Sequence, residues 1–156
     1  MEDEKVYSNK EELLKALEND AGALEFASDE LKDDKDVVLA AVKKAGWVGC
    51  YISKRLLADK QVVLEAAKND GQILYYASKE LRADKEVVML AVEQKPLVLK
   101  YASEELLNDI DVAQMAIKNA IEKYHGPEEH YVKDILRFLK PEIAQDEKIQ
   151  KLLETS

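Results

Sequence analysis

Residues 59–83 read DKQVVLEAAKNDGQILYYASKELRA, a 25-residue module that the chain repeats. Each copy opens on an aspartate at one fixed spacing, or on asparagine in the first copy: Asn9, Asp34, Asp59, Asp84 and Asp109. A serine and a leucine column keep the same register: Ser28, Ser53, Ser78 and Ser103, then Leu31, Leu56, Leu81 and Leu106. A constant period of this size is typical of stacked-repeat proteins.

The first half of the module predicts a buried helix. In residues 34–58, Asp34 stands where a helix N-cap belongs, since its carboxylate can accept the free N–H groups of the first turn. The apolar band from Val37 to Val42 is wider than the stripe of a surface helix. Such a helix needs neighbours on two sides, as in the middle of a solenoid.

The second half predicts a short helix, so that each module is a helical hairpin. We expect Gly46 to end the long helix as a left-handed cap, with Gly71 doing the same in the next copy. Pro96 replaces this glycine in the fourth copy and suits the first turn of the following helix. Ser53 lies either within the short helix or at the cap of a final turn, and the pattern fits both. The expected inward-facing residues are Val48, Tyr51, Ile52 and Leu56.

The fifth copy, within residues 109–156, departs from the pattern. Its first helix is predicted to continue to about Tyr124, with a turn at residues 125–127. The register then returns at Ile135 after twelve extra residues. A last amphipathic helix over residues 147–154 is expected to cap the open end of the stack.

The expected fold is therefore one all-α domain over residues 1–156. It is a right- or left-handed solenoid of five to six stacked 25-residue hairpins with a C-terminal capping helix. The repeats start near residues 9, 34, 59, 84 and 109, and residues 1–7 are expected to fray.

The charge balance bears on the class of partner. The 156 residues carry a net charge of −9, and residues 1–36 hold thirteen acids against five lysines. An acidic chain without a basic stripe repels phosphate backbones, so we expect no nucleic-acid partner. The same charge opposes the alternative in which each repeat recognises one base of a nucleic acid. The acidic end is either a solvated terminal cap or a docking surface that steers a basic partner.

Location is predicted from what the sequence lacks. No apolar run approaches 18 residues, and Glu2, Asp3 and Glu4 follow Met1 where a signal peptide would be basic, so we expect no membrane partner. Cys50 is the single cysteine and has no internal disulfide partner, which suits the cytoplasm. Secretion without a cleaved signal peptide, or delivery into a host cell, stays open.

The module resembles a known tandem repeat of unknown function, which occurs in bacterial and protist proteins, including effector-like ones. The residues that carry the resemblance are Asp59, Val62, Val63, Ala66, Gly71, Leu74, Tyr76, Ala77, Ser78 and Leu81, and the matching residues of the next copy. Over residues 9–120 it implies helical repeats and, by analogy, a part in protein interactions. It implies no catalytic residues. Gly49 and Ile52 depart from the pattern, where leucine and alanine are usual.

Few residues suggest chemistry. His130 and Asp134 are four residues apart on one predicted helix face, and His125 lies in the preceding turn. His130 and Asp134 are at most half of a metal site, because no third ligand is evident on that face. Cys50 has no histidine near it in sequence, and no phosphate-binding glycine loop occurs. We therefore expect no enzyme activity and no cofactor.

Aromatic residues recur once per module, which predicts a core ladder: Phe26, Tyr51, Tyr76, Tyr101 and Phe138. Columns that vary between copies are more informative, because an apolar residue there has no packing reason shared by all modules. Trp47, Tyr75 and Leu97 would line a ridge on the short helices, and Leu90 and Met115 lie in a varying column of the long helices. The alternative is that Trp47 fills the space left by Gly49.

The sequence thus predicts a non-catalytic protein–protein interaction module or scaffold, a monomer or weak oligomer. Its candidate contact residues are Trp47, Tyr75, Leu97, Leu90 and Met115. The alternative from another class is an enzyme accessory or a weak metal-binding protein centred on His125, His130 and Asp134.

Overall fold

The computed structural model describes residues 6–124 and 130–154. It is all-helical, as predicted. The described residues form no β-strand, only an isolated bridge between Tyr7 and Ala27. The predicted turn at residues 125–127 lies outside the described residues.

Five long helices begin one residue after the residues that open the modules. Each opening side chain accepts backbone N–H groups of the first turn, so the predicted N-caps are confirmed. The long helices are Lys10–Leu17, Lys35–Val42, Lys60–Asn69, Lys85–Gln94 and Ile110–Lys123. The last of them ends at the predicted place, with Tyr124 as its C-cap.

Each long helix is followed by a short helix and then by a closing turn. The short helices are Ala21–Phe26, Gly46–Tyr51, Ile73–Tyr76, Pro96–Tyr101 and His130–Phe138. The closing turns are Asp29–Lys32, Leu56–Ala58, Leu81–Ala83, Glu104–Leu107 and Pro141–Ala144. The predicted last helix is confirmed at Glu147–Glu154.

The serine column starts the closing turns. The Ser53 hydroxyl accepts a hydrogen bond from the Leu56 backbone N–H at 3.3 Å, and Ser103 accepts one from Leu106 in the same way. Ser53 therefore caps a final turn, which decides between the two interpretations that the sequence left open.

The helices lie in two layers. Each long helix contacts the next long helix, and each short helix contacts the next short helix. The core lies between the layers, because the apolar band of every long helix is buried. In the second long helix this band is Val37, Val38, Ala41 and Val42, all fully buried, and from the short-helix layer Leu24, Leu74 and Leu99 complete the core.

Polar bonds of matching geometry join consecutive modules. The first lysine of a long helix forms an ion pair with the aspartate that caps the next long helix, 2.7 Å from Lys35 to Asp59 and 2.8 Å from Lys60 to Asp84. In addition, the backbone N–H of Ser78 donates to the Leu57 carbonyl at 3.0 Å. Tyr7 extends this second series because its carbonyl accepts from Ser28, so the prediction that Tyr7 frays is wrong.

The role predicted for two glycines is wrong. Gly46 and Gly71 do not adopt the left-handed conformation. A Cβ on Gly46 would lie 2.6 Å from the Asp70 carbonyl oxygen, and one on Gly71 only 2.1 Å from the Ala91 carbonyl oxygen. Both glycines are required because the backbone of the next module passes too close for a side chain. Pro96 occupies the first turn of its short helix, as predicted.

The aromatic column is core only in part. Tyr51, Tyr76 and Tyr101 are half-buried and pack against the core, and Phe138 is also half-buried. Phe26 is exposed, because no earlier short helix among the described residues covers it. The rings form the outer wall of the short-helix layer. In three modules a leucine two positions before the ring fills the core: Leu24, Leu74 and Leu99.

Candidate partner-binding surface

Large exposed apolar side chains concentrate on the short helices. Phe26 is 39% exposed, Trp47 45% and Tyr75 52%, whereas Val6, at 63%, precedes the first long helix. A single exposed apolar residue is ordinary, but aromatic rings on adjacent helices form a patch. We name this face the short-helix surface. It comprises the exposed Glu25, Trp47, Cys50, Tyr75 and Lys100 with the half-buried Tyr51, Tyr76 and Tyr101.

Trp47 lies between two modules. Its Cη2 is 3.3 Å from the point where a Cβ on Gly22 would stand, in the preceding short helix. Its ring meets the Tyr51 ring edge to face, with centroids 6.3 Å apart. The atoms nearest to a Cβ on Gly49 belong to Tyr76 and Ile73. The alternative that Trp47 fills the space left by Gly49 is therefore wrong.

Tyr75 links the next pair of modules. Its ring centroid lies 4.8 Å from that of Tyr76 and 4.9 Å from that of Tyr101 on the following short helix, both at steep angles. These contacts hold the ring in place while half of the side chain stays open to solvent. An ordered ring can contact a partner with little loss of conformational entropy.

Charge changes along the short-helix surface. One exposed column, at matching positions of four modules, reads Glu25, Cys50, Tyr75 and Lys100. A hydrogen bond to the Glu25 carboxylate, together with burial, raises the pKa of the Tyr51 hydroxyl to about 12. At the other end, the Lys100 Nζ lies 4.9 Å from the centroid of the Tyr101 ring. The surface is acidic at its first module and basic at its fourth.

The other three predicted contact residues are less exposed than Trp47 and Tyr75, and two of them lie on the long helices. Leu97 is on a short helix but is half-buried against the core. Leu90 and Met115 are half-buried on the long helices. Met115 borders a shallow groove between the long helices and the last helix, with no short-helix residue in its wall. The groove is lined by Glu93, Gln114, Met115, Lys118, Asn119 and Leu152.

The residues considered for metal binding have other contacts. The His130 ring stacks on Tyr131 with centroids 4.2 Å apart, and the Asp134 carboxylate pairs with Arg137 at 2.8 Å. Over residues 6–124 and 130–154, no group of three or more His, Cys, Asp or Glu side chains is arranged to hold a metal ion. His125 lies outside the described residues.

Sequence reasoning identified Trp47 and Tyr75 but gave no role to the charged residues beside them. Glu25, Lys100 and Asp20 complete the surroundings of the two exposed rings. The signal that could have found Glu25 and Lys100 was present, because they stand in the same varying column as Tyr75.

Within the part of the chain that the structure describes, no helix is both long and apolar enough to cross a membrane.

Comparison with known protein families supports the presence of a tandem repeat. The family model described as "Domain of unknown function (DUF4116)" matches the chain three times in tandem, at residues 9–57, 50–82 and 84–143. No curated protein and no solved structure matches it. Because the family model covers most of the chain, the protein belongs to the DUF4116 family of domains of unknown function.

Proposed function

We propose that the protein is a non-catalytic protein–protein interaction module whose partner binds the short-helix surface. The observation that carries this proposal is the exposure of Trp47 and Tyr75 on neighbouring short helices. Exposed aromatic residues supply much of the binding energy in protein interfaces. Neither ring stands in a column that other modules fill with an aromatic residue, so a shared packing demand does not explain them.

The architecture in this proposal is a solenoid of five modules closed by the helix Glu147–Glu154. Contacts between consecutive long helices, and between consecutive short helices, support it. Solenoids of this kind present one continuous face to a partner, here the short-helix layer. In the same proposal the protein acts in the cytoplasm, a reducing compartment in which an exposed cysteine such as Cys50 stays a free thiol. The resemblance to repeats of effector-like proteins extends the proposal to an effector-like role.

Capture from a lysate of the native host tests the proposal. Immobilised wild type is compared with the double variant Trp47→Ala/Tyr75→Ala and with a control double variant, Leu90→Ala/Met115→Ala. We expect the first pair to lose at least tenfold of the captured partner and to keep its helicity, because both side chains are exposed. We expect the control to keep its capture.

Three results count against the proposal. Equal capture by wild type and Trp47→Ala/Tyr75→Ala would remove the short-helix surface from the interface. Loss of helicity in that variant would mean that the two rings maintain the fold. Loss of capture only in the control pair would move the interface to the long helices.

A further inference from the structure

We propose that the short-helix surface binds a basic peptide segment, with an arginine or lysine side chain of the partner lying against Trp47 between Asp20 and Glu25. This inference rests on the proposed function and names the chemical class of the partner. The Asp20 Oδ1 lies 3.0 Å, and the Trp47 Cη2 3.3 Å, from the position that a Cβ on Gly22 would take.

Asp20 and Glu25 differ from the neighbouring carboxylates in that the described residues offer them no cationic partner. Asp33 pairs with Arg55, and Asp34 and Asp36 pair with Lys10. No lysine or arginine among the described residues forms an ion pair with Asp20 or Glu25. Asp20 accepts the Gly22 backbone N–H at 2.8 Å, and the Glu25 carboxylate interacts with the Tyr51 hydroxyl, so neighbouring groups of the protein orient both carboxylates.

Ring and carboxylate together select a cation. An aromatic face attracts arginine or lysine, and an adjacent carboxylate strengthens the attraction. Here Trp47 and Tyr51 supply two nearly perpendicular rings, at 79°, and Asp20 and Glu25 lie beside them. Of the two interpretations of the acidic end, this arrangement favours the docking surface.

The opposite end of the surface shows the complementary case. The Tyr101 ring already has a cation of the protein itself, since the Lys100 Nζ lies 4.9 Å from its centroid. A second cation would be repelled there, so the partner segment carries its basic residue at the Trp47 end only. Helices pack about 8–10 Å apart, so three spacings from Glu25 to Lys100 cover roughly 25–30 Å, about eight residues of extended chain.

A random octapeptide library displayed on phage tests this directly. It is selected on immobilised wild type and counter-selected on Trp47→Ala, so that sequencing identifies binders that need Trp47. We expect these binders to be enriched at least tenfold in arginine or lysine over the unselected library. Trp47-dependent binders of neutral or acidic composition would overturn the basic-partner inference and leave the proposed function standing. A lack of Trp47-dependent binders would overturn both.

The best binder then serves as the probe in a titration that follows the fluorescence of Trp47, the only tryptophan. The paired variant Asp20→Asn/Glu25→Gln keeps both hydrogen-bond acceptors and removes both charges. We expect it to weaken binding at least tenfold, and replacement of the peptide's arginine by citrulline to do the same. Glu11→Gln removes a charge from the far end of the first long helix and should change affinity less than twofold. Equal losses in Glu11→Gln and the paired variant would contradict a local contact.

Discussion

The Lys60 Nζ lies 2.8 Å from the carboxylate of Asp84, the residue that caps the next long helix. One carboxylate thus serves the helix that it begins and the module before it. The hydrogen bond from Lys60 holds the pKa of Asp84 below its ordinary value of 3.8. A carboxyl group with a lowered pKa stabilises the fold above its ordinary pKa and loses that contribution as pH falls through the folded pKa.

We therefore predict a pH-dependent cost for Asp84→Asn. Asparagine still caps a helix, as Asn9 does in the first module, but cannot form the ion pair. At pH 7 the variant should lose up to about 1 kcal/mol of unfolding free energy, the usual range for an exposed ion pair. The difference should shrink below about pH 3.8, as urea denaturation at several pH values would show. A difference that persists unchanged at low pH would mean that the cap itself has been damaged.

Gly71→Ala should be strongly destabilising because its Cβ would meet the backbone of the next long helix, which cannot move aside cheaply. We expect a loss of about 3 kcal/mol or more in urea denaturation, at or above the upper end for an overpacked core. Gly22→Ala is the control, since a Cβ there approaches only side-chain atoms of Asp20 and Trp47 at 3.0 Å or more. Gly71→Asn distinguishes the two roles of the glycine. A left-handed cap tolerates asparagine, so a mild effect of that substitution would contradict the close approach found here.

Leu74 and Tyr75 are adjacent residues on one short helix with opposite roles. Leu74 is fully buried, so Leu74→Ala should cost about 2–5 kcal/mol. Tyr75→Ala removes only ring contacts with two other tyrosines and should cost about 1 kcal/mol. Thermal unfolding followed by circular dichroism measures both. If the two variants unfold alike, Tyr75 belongs to the scaffold.

The 25-residue repeat was enough to predict the features that depend only on neighbouring residues in the sequence, such as the helix N-caps. An aspartate before an apolar band caps a helix in any context, so the start of each long helix was predictable from Asp34 and its counterparts. Serine suits both a short helix and a cap, and the choice for Ser53 depends on where the closing turn folds. Gly46 and Gly71 were assigned the wrong role because both a left-handed cap and a close approach require glycine. Only the position of the neighbouring backbone separates them.

The candidate surface was predictable to a similar extent. A column that varies between modules predicted exposure for Trp47 and Tyr75, and the structure places both in solvent. Leu97 varies as well but is half-buried, since comparing columns cannot measure how closely the next short helix packs. The carboxylates near Trp47 belong to the preceding module, so their proximity depends on how modules stack.

Cys50 provides the most direct measurement of the central claim, that a partner covers the short-helix surface. It is the only cysteine, it is exposed, and it lies between Trp47 and Tyr75 in the chain. The rate at which iodoacetamide alkylates Cys50 is compared with and without the captured partner. The control is Gln61→Cys in a Cys50→Ser background, with its cysteine on an exposed position of a long helix. We predict that the partner slows alkylation of Cys50 at least tenfold and leaves the control cysteine unchanged. An unchanged rate at Cys50 with protection of the control cysteine would contradict the account.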